Sequence, residues 1–112
     1  MDIIDFDDFA KVDMRVGKVI AVEEFPRAKK PTYKVQVDFG AEIGIKWSSV
    51  QAKTNYTKEE MLGRQVIAVV NFLPKNIAGF MSEVLILGVP TTDYELSLLL
   101  PSKLAMVGGR VY

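Results

Sequence analysis

The stretch PTYKVQVDFGAEIGIKWSSV, residues 31–50, decides how the rest of the chain is read. Tyr33, Val35, Val37 and Phe39 alternate with Lys34, Gln36 and Asp38, the period-two pattern of a strand with one face in a core. Ile43, Ile45 and Trp47 then alternate with Gly44, Lys46 and Ser48. With FGAE between the two runs, the stretch reads as an antiparallel hairpin. That phase sends Tyr33 and Trp47 to the core beside Val35 and Ile45, and leaves Lys34 and Lys46 outside.

The flanking segments extend the pattern. In VDMRVGKVIAVEEF, residues 12–25, Val12, Met14 and Val16 alternate with Asp13, Arg15 and Gly17. The alternation slips after Gly17, which suggests a bulge in a long coiled strand. Downstream, Thr57 followed by Glu60 fits a capping box, and Gly63 fits the stop of a single helical turn. QVIAVV (65–70) and VLILG (84–88) are apolar on both faces, as central strands are. IIDFDDFAKV, residues 3–12, reads as a short helix with Asp5 as N-cap and Asp7 and Asp8 in its first turn.

Five strands with a short helix between the third and fourth predict an all-β, five-stranded barrel of the OB type. A sandwich usually needs about seven strands. The chain reads as one domain, with a barrel core at about residues 12–88 flanked by an N-terminal helix (1–11) and a C-terminal extension (89–112). The apolar residues of both ends need cover, either from the barrel or from a second copy.

Composition narrows the function. None of the 112 residues is cysteine or histidine, so disulfides, thiolate metal sites and the commonest general base are excluded. Asp5, Asp7 and Asp8 fit a helix start better than a metal site, and no cofactor, metal or catalysis is expected. The acidic N-terminus lacks the positive opening of a targeting segment, and the apolar runs are too short to span a bilayer. The expectation is a cytoplasmic protein with no membrane insertion. Net charge is zero, but residues 1–13 carry −4, residues 14–75 carry +5 and the remainder −1. A basic body under an acidic head leaves a local positive field.

Between the last two strands lies NFLPKNIAGFMSE, residues 71–83, longer and more polar than a hairpin turn requires. Lys75 offers a point charge for a phosphate, while Asn71 and Asn76 offer amides for a base edge or a peptide. Glu83 reads as a structural acceptor, since a carboxylate repels phosphate. Phe72, Phe80 and Met81 are the apolar candidates for a peptide site, although Phe80 could instead fold over a barrel end. Arg15, Lys18, Lys34 and Lys46 take outward positions on the first three strands, the usual ligand platform of an OB barrel.

Four motifs in order carry a family resemblance: DMRVGKV (13–19), KVQVDFG (34–40), YTKEEMLG (56–63) and NFLPKNIAGFMSE (71–83). They resemble the tRNA-binding domain found on some methionyl-tRNA synthetases and in related free-standing proteins. IKWSSVQ, VIAVVNF and IAGFMSEVLILG are most similar to its CsaA branch, small homodimers linked to protein export with chaperone-like peptide binding. The resemblance implies an OB barrel, a homodimer built partly from the terminal extensions, and partners that are tRNA or other structured RNA, or unfolded export substrates. It places Asn71, Pro74, Lys75, Gly79, Ser82 and Glu83 at the binding surface. Two departures stand out: FPRAKKPTY, with Arg27, Lys29 and Lys30, replaces a histidine-containing stretch of the synthetase type, and Ser-Glu-Val-Leu replaces Ser-Glu-Gly-Met.

Overall fold

The computed structural model describes residues 1–112. Strands β1 (Met14–Glu24), β2 (Tyr33–Asp38), β3 (Ile45–Val50) and β4 (Gln65–Val69) precede a small hairpin of β5 (Lys75–Ile77) and β6 (Phe80–Ser82). Then come β7 (Leu85–Ile86) and a second small hairpin, β8 (Gly88–Pro90) with β9 (Leu96–Leu98). The main sheet is antiparallel in the order β3-β2-β1-β4-β7, and it curls until β7 lies beside β3. This is the OB-type barrel that the strand pattern predicts. Three single-turn helices accompany it: α1 (Phe6–Ala10), α2 (Gly40–Ile43) and α3 (Lys58–Met61). No helix is long and apolar enough to cross a membrane.

Strand β1 is shared between two neighbours. Its residues Met14–Lys18 pair with β4, and Lys18–Glu24 pair with β2. The register shift falls between Val19 and Ala21, so the bulge is at Ile20 and not at Gly17. Gly17 serves a different purpose. It pairs with Val66 and points inward, where a Cβ would lie 2.4 Å from Val37 Cγ1 and 2.7 Å from Phe39 Cε1.

Because directly paired residues share a face, Arg15, Gly17 and Val19 take the inner phase, opposite to the expected one. Met14 and Val16 lie outside. Val16 is nevertheless buried, because the C-terminal tail pairs along the free half of β1. Gly108 N–H donates to Val16 O (2.8 Å), Val16 N–H to Gly109 O (2.9 Å) and Val111 N–H to Met14 O (2.9 Å).

The same logic corrects β3. Tyr33 pairs with Val50, Val35 with Ser48 and Val37 with Lys46, so Ser48 and Val50 face the core. Tyr33 is buried as expected, but Trp47 and Ile45 are on the outer face, and half-buried Lys46 takes the inner phase at the barrel end. The turn that sets this register is α2, closed by Gly44 at φ 85°. Buried Ser48 is accommodated because its hydroxyl donates to Val84 O at 2.8 Å.

The ends of the barrel are capped by local chemistry that the sequence announces. Thr57 and Glu60 exchange backbone-to-side-chain hydrogen bonds of 3.0 and 3.1 Å, and fully buried Met61 drops into the core. At the opposite end Arg15 donates to Asp13 (2.6 Å), Glu42 (3.0 Å) and Gly108 O (3.1 Å). The Arg15 guanidinium holds the Asp13 carboxyl below the usual carboxylate range. Gly17→Ala is expected to lower stability by about 1–3 kcal/mol through overpacking against Val37 and Phe39. Urea unfolding checks this, and an unchanged midpoint would contradict the inward placement.

Candidate nucleic-acid interface

The barrel is closed between β3 and the Ser82–Val84 segment by one backbone hydrogen bond and several side chains, where a regular ladder is absent. Glu83 N–H donates to Trp47 O (2.8 Å), and Trp47 N–H donates back to Glu83 Oε1 (2.9 Å). Ser49 N–H donates to Ser82 Oγ at 3.1 Å. Ser82 is buried and its hydroxyl is committed here, while Glu83 holds its place as the structural acceptor.

This closure fixes what projects outward. The β5–β6 hairpin turns on Ala78 (φ 49°) and Gly79 (φ 87°), a two-residue turn with both residues left-handed. Asn76 stabilises it by accepting from Gly79 N–H at 2.9 Å. The hairpin then lays Phe80 against Phe25 at 5.4 Å between ring centroids and edge-on to Trp47 at 6.2 Å. Lys34 Nζ sits over both phenyl rings, 4.9 Å from Phe25 and 5.2 Å from Phe80. Such cation–π contacts contribute about 0.5–1 kcal/mol each at exposed sites and hold the ammonium in place.

Beside this cluster lies an outer cavity of about 440 Å³, lined by Glu23, Lys34, Trp47, Pro74, Phe80, Met81 and Glu83. Arg27 stands beside the adjoining hairpin turn, where a side chain at Gly79 would meet its Nη1 at 3.9 Å, and Arg27, Lys29 and Lys30 are all exposed on the 25–32 loop. None of Arg27, Lys29, Lys30, Lys34 and Lys75 is held in a salt bridge within the chain (the bridges that form use other cations).

On the other side of the Ser82–Glu83 seam is a groove of about 1050 Å³. Phe72, Leu73, Lys75, Leu85, Val89 and Tyr94 are among its lining residues, and the Phe72, Leu73, Val89 and Tyr94 side chains are exposed.

The residues singled out in the sequence therefore divide. Lys34, Phe80 and Met81 share the outer cavity, whereas Asn71, Phe72, Lys75 and Ser82 line the groove. The Asn71 amide is engaged at both ends, accepting from Asp13 N–H (3.0 Å) and donating to Lys11 O (2.7 Å). Lys18 is exposed on β1 away from both cavities, Lys46 is at the barrel end, and Arg15 is pinned with its side chain only 13% exposed. Arg15 and Lys46 are not on the outward face, because β1 and β3 both run in the phase opposite to the one their apolar residues suggest. Sequence reasoning passed over Phe25, Glu23 and the outward Trp47. The cue was available in Ser48 and Ser49: shifting β3 by one residue brings Trp47 beside Gln36 and Ser49 beside Lys34. No group of three or more acidic, histidine or cysteine side chains is arranged to hold a metal.

A family model described as a putative tRNA binding domain matches residues 14–110. The methionine–tRNA ligase of Pyrococcus abyssi is 39% identical over 108 residues, 96% of this chain and 14% of the ligase. The chain thus spans about one-seventh of the length of that curated relative. Among solved structures, the CsaA chaperone protein of Picrophilus torridus is similar with a TM-score of 0.92 and 46% identity, covering 98% of this chain and all of that one. CsaA of Bacillus anthracis gives 0.90 and 42%, covering 99% of this chain and all of its own.

Proposed function

The chain belongs to the tRNA-binding domain family, and from that premise we propose that it is a non-catalytic, cytoplasmic RNA-binding protein whose ligand lies over the outer cavity and the 25–32 loop. The supporting observation is Lys34 held over the Phe25 and Phe80 rings beside Trp47, with Arg27 at the adjoining hairpin turn, exposed Lys29 and Lys30 on the same loop as Arg27, and Lys75 across the seam. Cations position a phosphate backbone, and aromatic faces stack unpaired bases for about 1–3 kcal/mol each. Structured RNA with an accessible single-stranded segment, such as tRNA, offers both.

A second reading rests on the larger groove. Its exposed Phe72, Leu73, Val89 and Tyr94 suit an apolar stretch of an unfolded polypeptide, and two of the similar structures carry the name chaperone. In that reading the clients are export substrates held before translocation, with no physiological RNA ligand.

Titration of labelled bulk tRNA is expected to show binding that weakens steeply as salt rises and changes the fluorescence of Trp47, the chain's sole tryptophan. Lys75→Ala and Arg27→Ala should each weaken binding and reduce the log–log salt slope by about 1. Absence of tRNA binding at low salt, together with suppressed aggregation of a denatured client, would overturn the RNA reading in favour of the peptide one.

The same proposal includes a homodimer. Ile3, Ile4 and Phe6 at one terminus and Leu104, Met106 and Tyr112 at the other are exposed, more apolar surface than an isolated small barrel usually leaves in water. Sedimentation equilibrium is expected to give twice the 12.5 kDa chain mass. A species of single-chain mass at micromolar concentration would contradict it.

A further inference from the structure

The outer cavity contains two acids that an RNA backbone would avoid. Glu23 lines it from β1, opposite Lys34 in the β1–β2 register, and forms no salt bridge. Glu83 lines it from the seam, where Oε1 accepts from Trp47 N–H and Oε2 has no partner. A carboxylate is a poor neighbour for phosphate, but it is an acceptor for the N–H groups of a base edge.

We propose that this cavity takes one extruded nucleobase of the bound RNA and selects guanine, with the Glu23 carboxylate as the group that reads it. The proposal rests on the RNA reading above and adds base selectivity to it. Guanine alone presents two adjacent N–H donors, N1–H and N2–H, on its Watson–Crick edge, which match the two oxygens of a carboxylate. Uracil presents one N–H between two carbonyls, and those would face Glu23 unfavourably. Adenine and cytosine each offer a single amino group beside an acceptor nitrogen.

Trp47 and Phe80 supply apolar walls for the ring, and about 440 Å³ is ample for one purine. The ammonium of Lys34, fixed over the Phe25 and Phe80 rings, argues against the other guest that two acids would invite, a lysine or arginine side chain of a peptide. A cationic guest would share the cavity with Lys34, with Arg27 at the neighbouring turn. A neutral base with its phosphate directed towards Arg27 at that turn avoids this repulsion and keeps its own negative charge beside a cation.

The test uses a short labelled oligouridylate with one central guanosine, compared with the same strand carrying adenosine, cytidine or uridine there. Anisotropy at low salt should show the guanosine strand bound about tenfold tighter than the uridine strand, within the range of one bidentate base contact. Glu23→Gln is exposed on β1 and offers one acceptor where two are needed. It should bring the guanosine strand down to the level of the others. Equal affinity for all strands, or a guanosine preference that survives Glu23→Gln, overturns the proposal. If bulk tRNA binds but no strand does, the cavity is off the RNA path and only this inference fails. If neither binds, the RNA reading fails with it. Saturable binding of a lysine-rich peptide that depends on Glu23 would reassign the cavity to a cationic side chain.

Discussion

The structure depends on how its barrel is closed. Between β3 and the residues after β6 there is no continuous ladder; Glu83 and Ser82 substitute for one. The reciprocal pair between Glu83 and Trp47, with Ser82 Oγ accepting from Ser49 N–H, satisfies the edge groups of β3 that would otherwise be left open, and Ser48 Oγ donates across the seam to Val84 O. Each such bond contributes about 1 kcal/mol net, but leaving a buried donor unpaired costs about 1–3 kcal/mol. The seam therefore tolerates little change. It also has a geometric effect. With Ser48 turned inward to reach Val84, Trp47 is held outward, and the β5–β6 hairpin lays Phe80 edge-on against it. Closure and presentation of the outer face are the same set of contacts.

A second constraint acts on β1. This strand serves β4 with one half and β2 with the other, which leaves the outer edge of its first half exposed. The tail residues Gly108–Val111 cover that edge, and Arg110 donates to Ala10 O at 2.9 Å, so both termini converge on the start of the barrel. Charge gathers there as well, in Asp13, Arg15, Glu42 and Arg110. These charges are mutually paired, whereas the cations near the outer cavity are not. The contrast separates a structural network from a surface offered to a ligand.

Much of this was legible in the sequence. The alternation in Tyr33–Phe39 and the apolar runs at 65–70 and 84–88 were enough to place β2, β4 and β7, and the Thr57–Glu60 box the helix between β3 and β4. The phase of β3 was not legible locally, because Ile43, Ile45 and Trp47 form the more hydrophobic alternation. The pairing with β2 overrides it: burying Val50 with Tyr33 also buries Ser48, and only the tertiary partner Val84 makes that acceptable. The glycine at position 17 marked a special place but not its nature, since a bulge and a close approach of side chains leave the same mark in a sequence. For the candidate site, Lys34, Phe80 and Met81 were found by chain position. Glu23 joins them only through the β1–β2 register, and Phe25 through its ring contacts with Phe80 and Lys34. Asn71 and Arg15 carry the chemistry of binding residues, but the fold spends that chemistry on its own backbone and carboxylates.

Hydrogen–deuterium exchange with and without tRNA reads directly whether RNA lies on the outer face formed by the 25–32 loop, β2, β3 and the β5–β6 hairpin. If it does, residues 25–34, 45–49 and 72–83 gain protection while the terminal segments 1–11 and 100–112 are unchanged by the RNA. Protection confined to the termini, with the hairpin and the 25–32 loop exchanging as in the free protein, would contradict that placement.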